Sequence, residues 1–237
     1  MNSTLLRLLG IVAMALICQV TAFAQAQYSI DPGATTTLPP GGALNVGCLP
    51  MNVQGTLNIG SGQVSSAGTL SIQGGTVNGG SGIITVGGGW NNSGTFNAGT
   101  GSVIFNAACT AGPVQVSGNT VFNNLTLTSS TGSAFVIPAG SNIRVNGVLT
   151  LQGINGSPIQ LVSSGGQPAV ITLGPSAQLV SSNAIVPCSV QIGAPSAQCS
   201  VPVPVMTDHG NLLLSLMVLL AAFWFGRNVL SRSLRSS

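Results

Sequence analysis

A short triplet of apolar, polar and apolar residues recurs along most of this chain, and nearly every copy is bounded by glycine or asparagine. Alternation with a period of two places both apolar side chains on one face of a short strand, and glycine and asparagine accept the positive φ of tight turns. Ala43-Leu44-Asn45-Val46-Gly47, Thr56-Leu57-Asn58-Ile59-Gly60 and Thr69-Leu70-Ser71-Ile72-Gln73 lie 13 residues apart, and a slipped fourth copy follows at Ile84-Thr85-Val86-Gly87. Strands of the same kind are expected at Val103–Phe105, Leu125–Leu127, Ile143–Val145, Leu149–Leu151, Ile159–Leu161, Ile171–Leu173 and Val190–Ile192. No amphipathic helical stretch interrupts them. Short strands joined by such corners predict an all-β fold, a β-solenoid of the parallel β-helix type, with an antiparallel β-sandwich as runner-up.

Charge is almost missing from this region. The chain has no lysine, and from Gln27 to Val205 its charged side chains are Asp31 and Arg144 alone. The formal net charge of +3 comes mainly from the two ends, so it predicts no nucleic-acid partner. Low charge also fits disorder, but disordered chains are poor in β-branched residues and do not alternate in this way.

The ends predict export and anchoring. Arg7 precedes an apolar run from Leu8 to Cys18, and Ala22-Phe23-Ala24 and Ala24-Gln25-Ala26 follow it. This is the pattern of a secretory signal peptide over 1–26, cleaved after Ala24 or Ala26. The run is shorter than the roughly 20 residues of a spanning helix. Leu212 to Gly226 is apolar all round, with Phe223, Trp224 and Phe225 near its end and Arg227, Arg232 and Arg235 beyond. A transmembrane helix over 211–230 with a cytoplasmic C-terminus is the expectation, because basic residues stay inside. The membrane is thus a predicted partner, and the region from 27 to 200 lies outside the cell or in the envelope as a single-pass, anchored module.

Two resemblances add to this reading. Val203-Pro204-Val205-Met206-Thr207-Asp208-His209-Gly210, followed by the apolar helix and arginines, resembles the IPTL-CTERM sorting signal over 201–237. Val203, Pro204, Met206, Asp208 and Gly210 match that pattern, whereas Val205 and His209 depart from it. The resemblance implies a Gram-negative cell-surface protein processed by an exosortase-type transpeptidase. Gly89 to Asn106 and Gly118 to Leu127 resemble repeats of large bacterial adhesin-like proteins, which implies a β-helix and a surface location.

Four cysteines remain after signal removal: Cys48, Cys109, Cys188 and Cys199. An even number in an exported chain points to disulfides, for which four cysteines allow three pairings. Cys188 with Cys199 closes a short loop, which leaves Cys48 to face Cys109. No C-x-x-C spacing exists, so no metal site is expected. Paired carboxylates, a histidine-based triad and a phosphate loop are all lacking: the exported region has one acid and one base, and His209 is the one histidine. No catalytic residue, cofactor or enzyme activity is expected.

A structural, adhesive or matrix role follows, with a surface glycan or matrix as partner. The alternative is a carbohydrate- or ice-binding module with a flat outer face. A regular array of outward threonines would favour it, but in the aligned copies the outward position varies among Asn45, Asn58 and Ser71. Trp90 and Tyr28 are expected to pack against a coil, and Arg144 to project into solvent.

Overall fold

The computed structural model describes residues 26–193, and within them the chain is built of strands and turns without a helix. The predicted signal peptide up to residue 25, the predicted transmembrane helix, the sorting motif and Cys199 lie outside the described residues. Among the described residues there is no helix long and apolar enough to cross a membrane.

The chain winds as a parallel β-solenoid of about seven coils. The first four coils are three-sided. They comprise β1 (Tyr28–Ile30), β2 (Thr35–Thr37) and β3 (Ala43–Asn45); β4 (Met51–Val53), β5 (Thr56–Asn58) and β6 (Gln63–Ala67); β7 (Leu70–Ile72), β8 (Thr76–Asn78) and β9 (Ile83–Val86); and β10 (Trp90–Asn92), β11 (Thr95–Asn97) and β12 (Ser102–Phe105). The later coils are wider. They comprise β13 (Val114–Phe122) and β14 (Asn124–Thr128); β15 (Ala134–Pro138), β16 (Asn142–Val145) and β17 (Val148–Gln152); and β18 (Ile159–Ser164), β19 (Ala169–Leu173) and β20 (Gln178–Ser182), after which β21 (Ala184–Ile185) and β22 (Val190–Ile192) begin a further coil.

Strands stack in parallel into three sheets: an 11-stranded sheet beginning β1-β4-β7-β10-β13, a 4-stranded sheet β2-β5-β8-β11 and a 7-stranded sheet from β3 to β20. Among the described residues every strand pair is parallel, and antiparallel pairing is confined to one isolated bridge between Ile154 and Ser157. The antiparallel sandwich is therefore excluded: each corner hands the chain to the next side of the same coil, so the neighbour of a strand is the one a full turn later.

Register shows what the 13-residue echo is. Cα partners run Ala43, Gln63, Ile83, Ser102 on one side and Thr35, Thr56, Thr76, Thr95 on another. The coil period is thus 19 to 21 residues along these rows. Residues 43, 56 and 69 stand at or beside strands of three different sheets, so the 13-residue spacing measures two sides of a three-sided coil.

Inward positions form continuous ladders. Leu44, Val64, Ile84, Val103, Leu125 and Leu149 stack along one sheet, and Leu57 and Val77 are wholly buried in another. Each buried Leu or Ile is worth about 2 kcal/mol of apolar transfer. Corners require glycine where coils touch: Gly60, Gly80 and Gly99 have φ near +61°, and a Cβ at Gly80 would collide with the Gly60 carbonyl oxygen.

The cross-section changes between the fourth and fifth coils. There β13 runs as one nine-residue strand whose first half pairs with β10 and whose second half opens a new row with β16. Aromatic rings fill the junction. Trp90, only 1 % exposed, meets Phe96 edge-on with ring centroids 5.1 Å apart, Phe122 at 5.4 Å and Phe105 at 6.1 Å. Trp90 thus packs within the coil stack, as expected.

Candidate functional site

Among the described residues the 4-stranded sheet carries a regular surface, in register through four coils. Its inward residues are Thr36, Leu57, Val77 and Phe96; the residues on either side point outward. One outward row is Thr35, Thr56, Thr76 and Thr95, in register through four successive coils. The other is Thr37, Asn58, Asn78 and Asn97. Strands place neighbours in a row about 4.8 Å apart and the two rows about 6.6 Å apart.

The second row is held by its own side chains. Asn58 Nδ2 donates to Thr37 Oγ1 at 3.1 Å, Asn78 Nδ2 to Asn58 Oδ1 at 2.7 Å, and Asn97 Nδ2 to Asn78 Oδ1 at 2.8 Å. Each bond uses a donor on one coil and an acceptor on the coil before, so the chain of amides fixes its own rotamers. Among the described residues the hydroxyls of Thr35, Thr56, Thr76 and Thr95 make no side-chain hydrogen bond; their capacity is left for solvent or a ligand. A regular outward threonine array therefore exists, contrary to expectation. Asn45, Asn58 and Ser71 do not form one column, because they belong to three separate sheets.

The disulfide expectation divides. Cys48 and Cys109 are bonded, with Cα atoms 5.3 Å apart across 61 residues of sequence. The segment from 106 to 113 doubles back over the corner formed by Gly68 and Gly88, and a Cβ at Gly87 would occupy the place of Cys109 Sγ. Cys188 is exposed in the turn before β22, and a pair with Cys199 falls outside the described residues. Of the sorting and cleavage residues, Val203, Pro204, Met206, Asp208, Gly210 and Ala24 also lie outside them, and Ala26, the first described residue, is exposed.

The charged residues are far apart in the coil order. Asp31, in the first coil, accepts a hydrogen bond from Ser29 Oγ at 2.9 Å. Arg144, on β16 in the sixth, projects outward as expected, and its Nε donates to Asn146 Oδ1 at 2.9 Å. Among the described residues no cluster of three or more His, Cys, Asp or Glu exists that could hold a metal ion.

No protein-family model, curated protein or solved structure matches this chain.

Proposed function

We propose that this is an exported, envelope-anchored surface protein whose β-solenoid serves a structural, adhesive or matrix role without catalysis. The observation that carries the reading is the outer surface of a continuous coil stack, organised in rows of Thr, Ser and Asn and charged only at Asp31 and Arg144 among the described residues. Such a surface offers many weak, repeated hydrogen bonds and no acid–base pair. The signal-peptide pattern, the apolar helix over 211–230 and the resemblance to an exosortase-type sorting signal support delivery to the cell surface with the C-terminus initially cytoplasmic. Fractionation tests it: the intact chain should sediment with membranes through a high-salt wash, and a chain lacking 211–237 should be soluble in the periplasm or medium. Retention of the shortened chain in the membrane pellet would refute the anchor.

A second reading, an ice- or carbohydrate-binding module, is favoured by the threonine row of the 4-stranded sheet. Unspent hydroxyls and methyls at a fixed two-dimensional spacing form a surface that can hold water in a lattice. The bonded Asn row beside it keeps that surface ordered before any ligand arrives, which lowers the entropy cost of binding.

A further inference from the structure

We propose that a second, separate site exists on the 11-stranded sheet: a groove over the third to fifth coils that binds a neutral oligosaccharide. The inference rests on the adhesive reading above and assigns it a ligand class. The groove has a volume of about 510 Å³, within the range of about 300–1,000 Å³ common for small-molecule sites.

Two outward rows make its floor. Ser71, Asn91 and Ser117 are Cα partners across β7, β10 and β13. Two residues earlier lie Thr69, Gly89 and Gln115, and the absent side chain of Gly89 hollows the floor between its neighbours. A Cβ placed there would be 3.3 Å from the Gln115 carbonyl oxygen and 3.5 Å from Thr69. One wall is the segment carrying Cys109, Thr110 and Pro113, pinned by the disulfide to Cys48 beside Pro50. The run Gly87-Gly88-Gly89 thus has three separate duties: clearing the disulfide, stacking on the Gly68 carbonyl, and opening the groove.

The chemistry selects the ligand class. Among the described residues no charged side chain lines the groove, so an anionic or cationic ligand would lose its hydration without compensation. Among the described residues the amides of Asn91 and Gln115 make no side-chain hydrogen bond, whereas Ser117 Oγ donates to the Trp90 carbonyl at 3.1 Å and is held in place. Amides that both donate and accept suit the paired hydroxyls of a sugar, and Pro50 and Pro113 offer apolar edges to its C–H faces. A pinned wall and a sheet floor preform the site, so little ordering cost is left for binding.

The test uses the full-length oxidised protein in a detergent without a sugar head group, titrated calorimetrically with cellohexaose, maltohexaose, xylohexaose and N-acetylchitohexaose, and with a hexagalacturonate and a heparin hexasaccharide as charged counterparts. At least one neutral hexasaccharide should bind, and Gly89→Thr and Asn91→Ala should each weaken it by about tenfold or more. Thr126→Ala, on the 7-stranded sheet and in neither the groove nor the threonine row, should bind as the wild type does. If Gly89→Thr fails to fold, Asn91→Ala and Gln115→Ala carry the comparison. Absence of binding to all four neutral sugars at about 1 mM, binding of the charged ones alone, or unchanged affinity in the groove variants overturns the proposal. Fractionation decides the surface reading independently of these titrations.

Discussion

Trp90 Nε1 donates a hydrogen bond to Thr120 Oγ1 at 3.1 Å, and Asn92 Nδ2 reaches the same oxygen at 3.1 Å. All three residues are buried. Asn92 occupies the position that Ile72 holds one coil earlier, so a polar side chain has entered an aliphatic ladder where the cross-section changes. It is fully employed there: its Nδ2 also reaches the Asn119 carbonyl at 2.8 Å, and its Oδ1 accepts the Gly94 amide at 3.1 Å. Burial of such groups is tolerable only when each finds a partner.

Thr120→Val keeps the shape and removes the shared acceptor, leaving the Trp90 and Asn92 donors short of a partner. Stability should fall by about 2 kcal/mol, whereas Thr120→Ser, which keeps the hydroxyl, should lose much less. Urea unfolding followed by circular dichroism measures the difference, and equal losses in the two variants would show that packing, not the hydrogen bonds, matters at the junction.

Peptide mapping without reductant should recover a Cys48 peptide joined to a Cys109 peptide. Loss of this cross-link in a Cys48→Ser and Cys109→Ser double variant should cost about 4 kcal/mol on the chain-entropy estimate for a loop of this length. Recovery of Cys48 joined to Cys188 or Cys199 instead would contradict the placement of the 106–113 segment.

Gly60→Ala and Gly80→Ala separate backbone strain from coil contact. Both residues have φ of +61°, which costs an L-residue about 1 kcal/mol. Around Gly60 a Cβ meets nothing within 4 Å, but at Gly80 it collides with the preceding coil. Gly80→Ala should therefore be the worse by about 2 kcal/mol or more, and equal thermal midpoints would mean that the coils are not stacked as closely as described.

Thr56→Lys with Thr76→Lys puts two charges into the middle of the threonine row while leaving the core untouched. If that row holds ordered water, the wild-type protein should shape ice crystals and slow their recrystallisation, and the double variant should not. Identical behaviour of the two proteins would remove the ice-binding reading.

Individual strands were legible in the sequence because alternation between inside and outside is a local property: every strand expected from Val103–Phe105 to Val190–Ile192 is present. The turn of the coil was not. Its period is set by corners, and a corner of Gly and Asn looks alike whichever side of the coil it ends, so copies from different sheets aligned at 13 residues. The same confusion hid the row from Thr35 to Thr95, which emerges only when residues 19 to 21 apart are compared. The packing role of Trp90 is legible from its place as a lone aromatic among short strands, but its bond to Thr120 needs the widening of β13. The groove left only a trace, the glycines at 87 to 89, because its shape depends on an absent side chain and on a segment brought back by a disulfide.

The Cys48–Cys109 cross-link also has a mechanical meaning. Coils in a stack hold chiefly to their neighbours, so a pull applied at the C-terminal end would peel them off singly, starting from β22 and β20. Peeling can pass Val114 but must stop at Cys109, because the load then transfers to a covalent bond that returns it to Cys48. The coils between these two cysteines, with most of the threonine row, sit behind that stop, so under such a pull the coils beyond it would yield first and spare them.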